Sequence, residues 1–188
     1  MSENLTSALP NAEFAGFVAL REAGLQGMIT LRGDLGSKAL SKALSEATGC
    51  ALPAQRKITT KGDHALAWMS PDELLILCPH DKSPTLVVTL SKALSGEFAT
   101  LANVSDARAV FQISGPGWRD ALAKISPVDF STLAPGDLRR TRAAQVAAAI
   151  LVDGPEEVRV ICFRSVAQYM FDLLKTATAP GSEPMLYR

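Results

Sequence analysis

The residues able to do chemistry in this chain are few and scattered. Arg139, Arg140 and Arg142 place three guanidinium groups within four positions. That pattern can hold an anionic ligand, pair with acids of another subunit, or form a solvated face. The two histidines, His64 and His80, have no partner at a motif spacing, and each reads as a solvated or hydrogen-bonded side chain. Ser114-Gly115-Pro116-Gly117 could present free N–H groups to a phosphate at a helix start. No lysine follows at the distance of a phosphate-binding loop, so plain capping is preferred. Asp72-Glu73 and Glu156-Glu157 are paired carboxylates of the kind used in acid/base catalysis. Both lie beside prolines at expected hairpin tips, where exposed acids belong. Cys50, Cys78 and Cys162 are isolated, which argues against a disulfide framework or a zinc site, and Cys78 and Cys162 read as core residues. No H-E-x-x-H, G-x-S-x-G, Walker loop or G-x-G-x-x-G occurs. No residue is therefore assigned a catalytic, cofactor-binding or metal-ligating role, and the three arginines stand as the candidate partner interface.

Composition narrows the class. With 188 residues, 47% hydrophobic and 20% charged, the chain can bury a sizeable core, and its length suits one domain better than two. Lys+Arg and Asp+Glu balance at 19 each, so no global field draws nucleic acid or an anionic membrane to it. The first ten residues lack a basic stretch followed by an apolar run, so no secretory signal is read. No segment approaches the roughly 18 apolar residues of a membrane span. A cytoplasmic protein is expected.

The elements that must position these residues follow from periodicity. Residues 104–124 hold a strand, a turn and a helix start in one run: Ala107, Ala109, Phe111 and Ile113 alternate with Arg108, Gln112 and Ser114, broken only by Val110. A helix begins near Pro116, burying Trp118, Ala121, Leu122 and Ile125 and leaving Arg119, Asp120 and Lys124 for solvent or a partner. Upstream, 1–15 reads as a flexible arm with at most an edge contribution. Strands are expected at 16–22 and 27–32, around a turn at Gly24, and a first helix runs from Leu35 to a cap at Gly49. Three strands follow at 56–60, 64–69 and 73–78, the last two joined as a hairpin by Ser70-Pro71-Asp72. Ser83-Pro84 opens a second helix. The second half gives strands near 98–102 and 107–113, the helix from Pro116, a connector over 127–142 ending in the arginines, strands at 146–152 and 157–163, and a helix from Ser165. Beyond Thr176 the tail reads as mobile.

The two halves resemble each other. Gly33, Ala39, Leu40 and Lys42 recur as Gly115, Ala121, Leu122 and Lys124 at a shift of 115 − 33 = 82. Ser70-Pro71-Asp72-Glu73 recurs as Gly154-Pro155-Glu156-Glu157, and Leu90 and Lys92 fall on Leu173 and Lys175. The expected fold is α+β: one domain over 16–176 made of two pseudo-twofold-related β-β-α-β-β-β-α repeats, 16–96 and 97–176, with a tail at 177–188. Chance pairing of two similar units is the alternative.

Val104-Ser105-Asp106, Ile113-Ser114-Gly115-Pro116, Asp129, Arg140-Thr141 and Phe163-Arg164-Ser165-Val166-Ala167-Gln168-Tyr169 carry a family resemblance. Together with Trp68-Met69-Ser70-Pro71-Asp72-Glu73, they resemble in their order the gamma subunit of heterotetrameric sarcosine oxidase. The resemblance implies a fold related to the folate-binding domain of glycine cleavage aminomethyltransferase. It also implies alpha, beta and delta partner subunits that hold FAD, FMN, NAD and tetrahydrofolate, with no cofactor and no catalytic residue on this chain. The implied complex oxidises sarcosine to glycine, forms hydrogen peroxide, and passes the one-carbon unit to tetrahydrofolate or releases it as formaldehyde. An independent folate-binding one-carbon transferase stays open as a second reading, and it requires a buried acid facing the pterin. An adaptor for another amine-oxidising complex is a third.

Overall fold

A computed structural model describes residues 5–187. In chain order its elements are β1 (Glu13–Ala15), β2 (Ala19–Glu22), β3 (Gly27–Arg32), α1 (Lys38–Thr48), β4 (Ile58–Lys61), β5 (His64–Ser70), β6 (Glu73–Cys78), α2 (Ser83–Ala93), β7 (Thr100–Asn103), β8 (Arg108–Ser114), α3 (Trp118–Ala123), β9 (Leu138–Ala143), β10 (Val146–Gly154), β11 (Glu157–Phe163) and α4 (Ala167–Ala177). The fold is α+β, and every strand pair is antiparallel.

The described chain divides into two compact units, one of residues 26–105 and one of 5–25 with 106–187. The first holds a five-stranded sheet in the order β4-β5-β6-β3-β7. Strand β6 reads Glu-Leu-Leu-Ile-Leu-Cys and is buried at every position, as a central strand between β5 and β3 requires. Strand β4, Ile-Thr-Thr-Lys, lies at an edge, where polar and lysine side chains discourage further pairing. Helix α1 is capped by the Ser37 hydroxyl, which accepts from Leu40 N at 3.3 Å, and by Gly49 at φ 72°. It buries Leu40 and Leu44 against Ile29, Leu31, Leu74 and Ile76, and α2 adds Leu86 and Leu90. Each such side chain contributes roughly 1.5–3 kcal/mol on burial.

The second unit holds a six-stranded sheet in the order β1-β2-β8-β11-β10-β9. Helices α3 and α4 cover one face, packing Trp118, Leu122, Met170 and Leu174 on Phe111, Ile113, Val158 and Val160. Read from the other edge, β9-β10-β11-β8-β2 repeats the order of the first sheet, consistent with a duplicated chain.

The strand partners differ from the expected halves. Strands β2 and β3 form no hairpin: β2 pairs with β8, and β3 pairs with β7. The repeat boundaries at 16–96 and 97–176 therefore do not coincide with the compact units. Period-2 alternation fixes which face a strand buries and leaves its partner open. The arm supplies β1, and Arg164 donates to Thr6 O and Ser7 O at 2.9 and 3.1 Å. In the tail, Leu186 N donates to Asp120 at 2.8 Å. Among the described residues no helix is long and apolar enough to cross a membrane.

Candidate functional site

The expected connector over 127–142 ends in a strand. Gly136, at φ 85°, turns the chain, and Asp137 accepts from Ala134 N at 2.8 Å, so β9 starts in register with β10. Among the described residues β9 is an edge strand with no outer neighbour. Its alternation divides the arginine cluster: Arg140 and Arg142 share one face with Leu138, and Arg139 shares the other with Thr141 and the core residue Ala143. Arg139 is half-buried and donates to Leu138 O at 2.8 Å, while Arg140 and Arg142 are exposed. They stand opposite Ala149 and Ala147 of β10, whose methyl groups leave the guanidinium groups room. Two cations, not three, thus line one face of an open strand edge.

At the opposite edge of this sheet, clefts of about 540 and 340 Å³ flank β1 and β2, and Arg21 and Glu13 line both. Arg21 donates to Gln112 across β2 and β8. Glu22, buried behind it, accepts from Ser7 Oγ and Gly24 N, each at 2.9 Å. The carboxylate fastens the N-terminal arm through Oε2, and its buried Oε1 has no hydrogen-bond partner.

The phosphate reading of Ser114-Gly115-Pro116-Gly117 does not survive the geometry. A Cβ at Gly117 would sit 2.9 Å from the Phe17 ring, and one at Gly115 would sit 3.1 Å from Val18. The preceding chain packs directly on the turn, where an anion would have to lie. The expected side-chain cap is absent too, since Gly117 stands at the N-cap without a side-chain bond. The polar side of α3 also differs from its expected role. Arg119 donates to Phe130 O and Leu133 O, Asp120 is buried, and Lys124 donates to Ala177 O and Ser182 Oγ, both at 2.8 Å. These groups tie the unit together internally.

The paired acids divide. Asp72 is exposed, and the Ser70 hydroxyl, aided by Arg32, holds its carboxyl below the usual range. Glu73 is buried, contrary to the exposed tip expected, and Arg32 reaches it at 2.7 Å across the β3–β6 pair. A carboxylate held this way is a structural ion pair. His64 Nδ1 lies 2.9 Å from Asp63, whose other oxygen takes Lys82 at 2.8 Å. The Lys82 hydrogen bond keeps the Asp63 carboxyl low and raises the Lys82 amine. Cys78 and Cys162 are fully buried, as expected, and burial pushes both thiols up to about 11, which suppresses thiolate chemistry. Among the described residues no group of three or more His, Cys, Asp or Glu side chains could hold a metal. Among the described residues the buried acids a pterin would need are Glu22, Glu73, Asp120 and Asp137; each already accepts a hydrogen bond within the chain, and Glu22 keeps one buried oxygen, Oε1, without a partner.

One exposed residue was hidden in a predicted strand. Phe98, placed at the start of the run 98–102, instead lies in the loop before β7 and is fully exposed, at 104%. Gly96 and Glu97 ahead of it are the signal that a loop continues to this point.

A profile of the sarcosine oxidase gamma subunit family matches residues 32–180. The sarcosine oxidase subunit gamma of Corynebacterium sp. (strain P-1) is 32% identical over 72% of this chain, and the match spans 66% of that relative's length. Among solved structures, a chain of the heterotetrameric sarcosine oxidase from Corynebacterium sp. U-96, in complex with pyrrole 2-carboxylate, superposes with a TM-score of 0.79. It is 28% identical, and the match covers 88% of this chain and 87% of that one. Aminomethyltransferase T of the glycine cleavage system from Bartonella henselae shares the fold, with a TM-score of 0.64 and 13% identity over 86% of this chain and 46% of that one.

Proposed function

This chain belongs to the sarcosine oxidase gamma subunit family, and from that premise we propose that it is the non-catalytic gamma subunit of a heterotetrameric sarcosine oxidase. The observation that carries the reading is the likeness, along most of its length, to one chain of such a heterotetramer. In this reading alpha, beta and delta subunits hold FAD, FMN, NAD and tetrahydrofolate. They oxidise sarcosine to glycine, form hydrogen peroxide, and deliver the one-carbon unit to tetrahydrofolate or as formaldehyde. The gamma chain supplies binding surface, and the β9 edge with Arg140 and Arg142 is the part of it suited to acidic partner groups. Three unpaired cysteines fit a reducing cytoplasm. Co-expression with alpha, beta and delta chains, followed by size exclusion, tests the reading. Co-elution in one peak is expected, and reproducible separation would sink it.

A folate-binding one-carbon transferase acting alone is the weaker reading, because each buried acid among the described residues already accepts an internal hydrogen bond, with only Glu22 keeping one buried oxygen unpartnered. Calorimetric titration with a reduced folate separates the two: saturable micromolar binding to the isolated chain would favour the transferase.

A further inference from the structure

Strands β2 and β8 of one sheet align with β7 and β3 of the other through their registers. Ala19 pairs with Ser114 and Leu20 with Ile113; in the other sheet Thr100 pairs with Arg32 and Leu101 with Leu31. The register makes Ala19 the counterpart of Thr100, so Phe17 corresponds to Phe98 and Val18 to Ala99. Both segments pack on a strand-to-helix turn: a Cβ at Gly117 or Gly115 would meet the Phe17 ring or Val18, and one at Gly33 would lie 3.2 Å from the Phe98 carbonyl oxygen and 3.3 Å from Ala99 Cβ.

The rings do not behave alike. Phe17 is half-buried, and the Lys124 ammonium lies 5.0 Å from its ring centroid, within cation–π range. The counterpart of Lys124 is Lys42, which turns toward Glu46 at 3.8 Å on the exposed side of α1. Phe98 therefore stands in solvent, and among the described residues no cation lies over its ring. Glu97, next to it in the chain, accepts from the Ser37 hydroxyl at 2.8 Å. An aromatic face beside a carboxylate-bearing residue suits a positive charge.

We propose that Phe98, with Glu97 beside it, is the seat for a lysine or arginine side chain of a neighbouring subunit, which takes the place that Lys124 fills over Phe17. This rests on the subunit reading. Desolvated aromatic anchors carry much of the binding energy at protein interfaces.

The test uses the co-expressed alpha, beta and delta chains as the probe. Wild-type, Phe98→Tyr, Phe98→Leu and Phe98→Ala gamma chains are titrated into that assembly and Kd is read. Tyr should bind like wild type, while Leu and Ala should each weaken binding by roughly tenfold, the loss expected for one desolvated cation–π contact. Unchanged binding by the Ala chain overturns the proposal. So does full rescue by Leu, which would mean an apolar pocket. Absence of wild-type binding overturns the subunit reading itself, a result distinct from either. The side chain is in solvent, so an unchanged melting temperature of each free variant confirms that folding is not at issue.

Discussion

The indole nitrogen of Trp118 donates to the carbonyl oxygen of Pro155 at 2.9 Å, pinning the first residue of α3 to the β10–β11 turn. The Trp118 ring is completely buried and meets Phe130 edge-on at 5.9 Å. Trp118→Phe keeps most of the apolar volume and removes the donor. A loss of about 1–3 kcal/mol is expected, seen as a lower midpoint in urea unfolding with an unchanged slope.

Gly115 has φ 131° with Val18 against it, so both conformation and space exclude a side chain. Gly115→Ala should destabilise by about 1–3 kcal/mol. Gly96→Ala is the comparison, because nothing lies within 4 Å of a Cβ there; its melting temperature should stay near wild type.

Cys78 and Cys162 keep their protons up to about 11 when folded, against 9.0 when free. The unfolded chain releases those protons first. Their contribution to stability is therefore complete below pH 9 and is lost as pH rises toward 11. Urea midpoints measured across that window should fall, and the fall should be shallower in a Cys78→Ala/Cys162→Ala chain. Equal slopes would contradict the assignment.

Charge reversal of the exposed pair on β9, Arg140→Glu with Arg142→Glu, should weaken assembly with partner chains by roughly tenfold or more at low salt. Arg142→Glu alone should leave the melting temperature of the free chain near wild type, since that side chain is exposed. Arg139→Glu should behave differently and lower stability, because its half-buried guanidinium serves the β9 backbone.

Removal of residues 1–25 takes β1 and β2 from the six-stranded sheet and strips Phe17 and Val18 from the turn below α3. The truncated chain should lose cooperative melting of that unit, followed by circular dichroism. Removal of residues 1–12 leaves both strands and should cost far less.

Much of this architecture could be read from local pattern. Strands β3, β6 and β11 run from the expected first residue to the expected last, because each is a short apolar-rich run closed by a turn. Helix α1 announced its end through Gly49. Strand β9 was missed because Leu-Arg-Arg-Thr-Arg-Ala, an edge sequence, carries no apolar alternation. The exchange of β2 and β7 between sheets, the burial of Glu73 by Arg32 and the isolation of Phe98 all depend on contacts distant in sequence. The arginine cluster was visible as composition, but its division between two faces needed the strand.

The pairing of β2 with β8 also sets an order of events at the ribosome. Residues 26–105 form a contiguous block that can close its own sheet as soon as it has emerged. Strand β2 emerges before that block and must wait for its partner, about 90 residues behind, a delay on the order of ten seconds at ordinary rates of synthesis. During that interval Leu20 and Val18, later buried, have no sheet to join. Vectorial synthesis thus leaves β2, made before the 26–105 block, among the last strands to be placed.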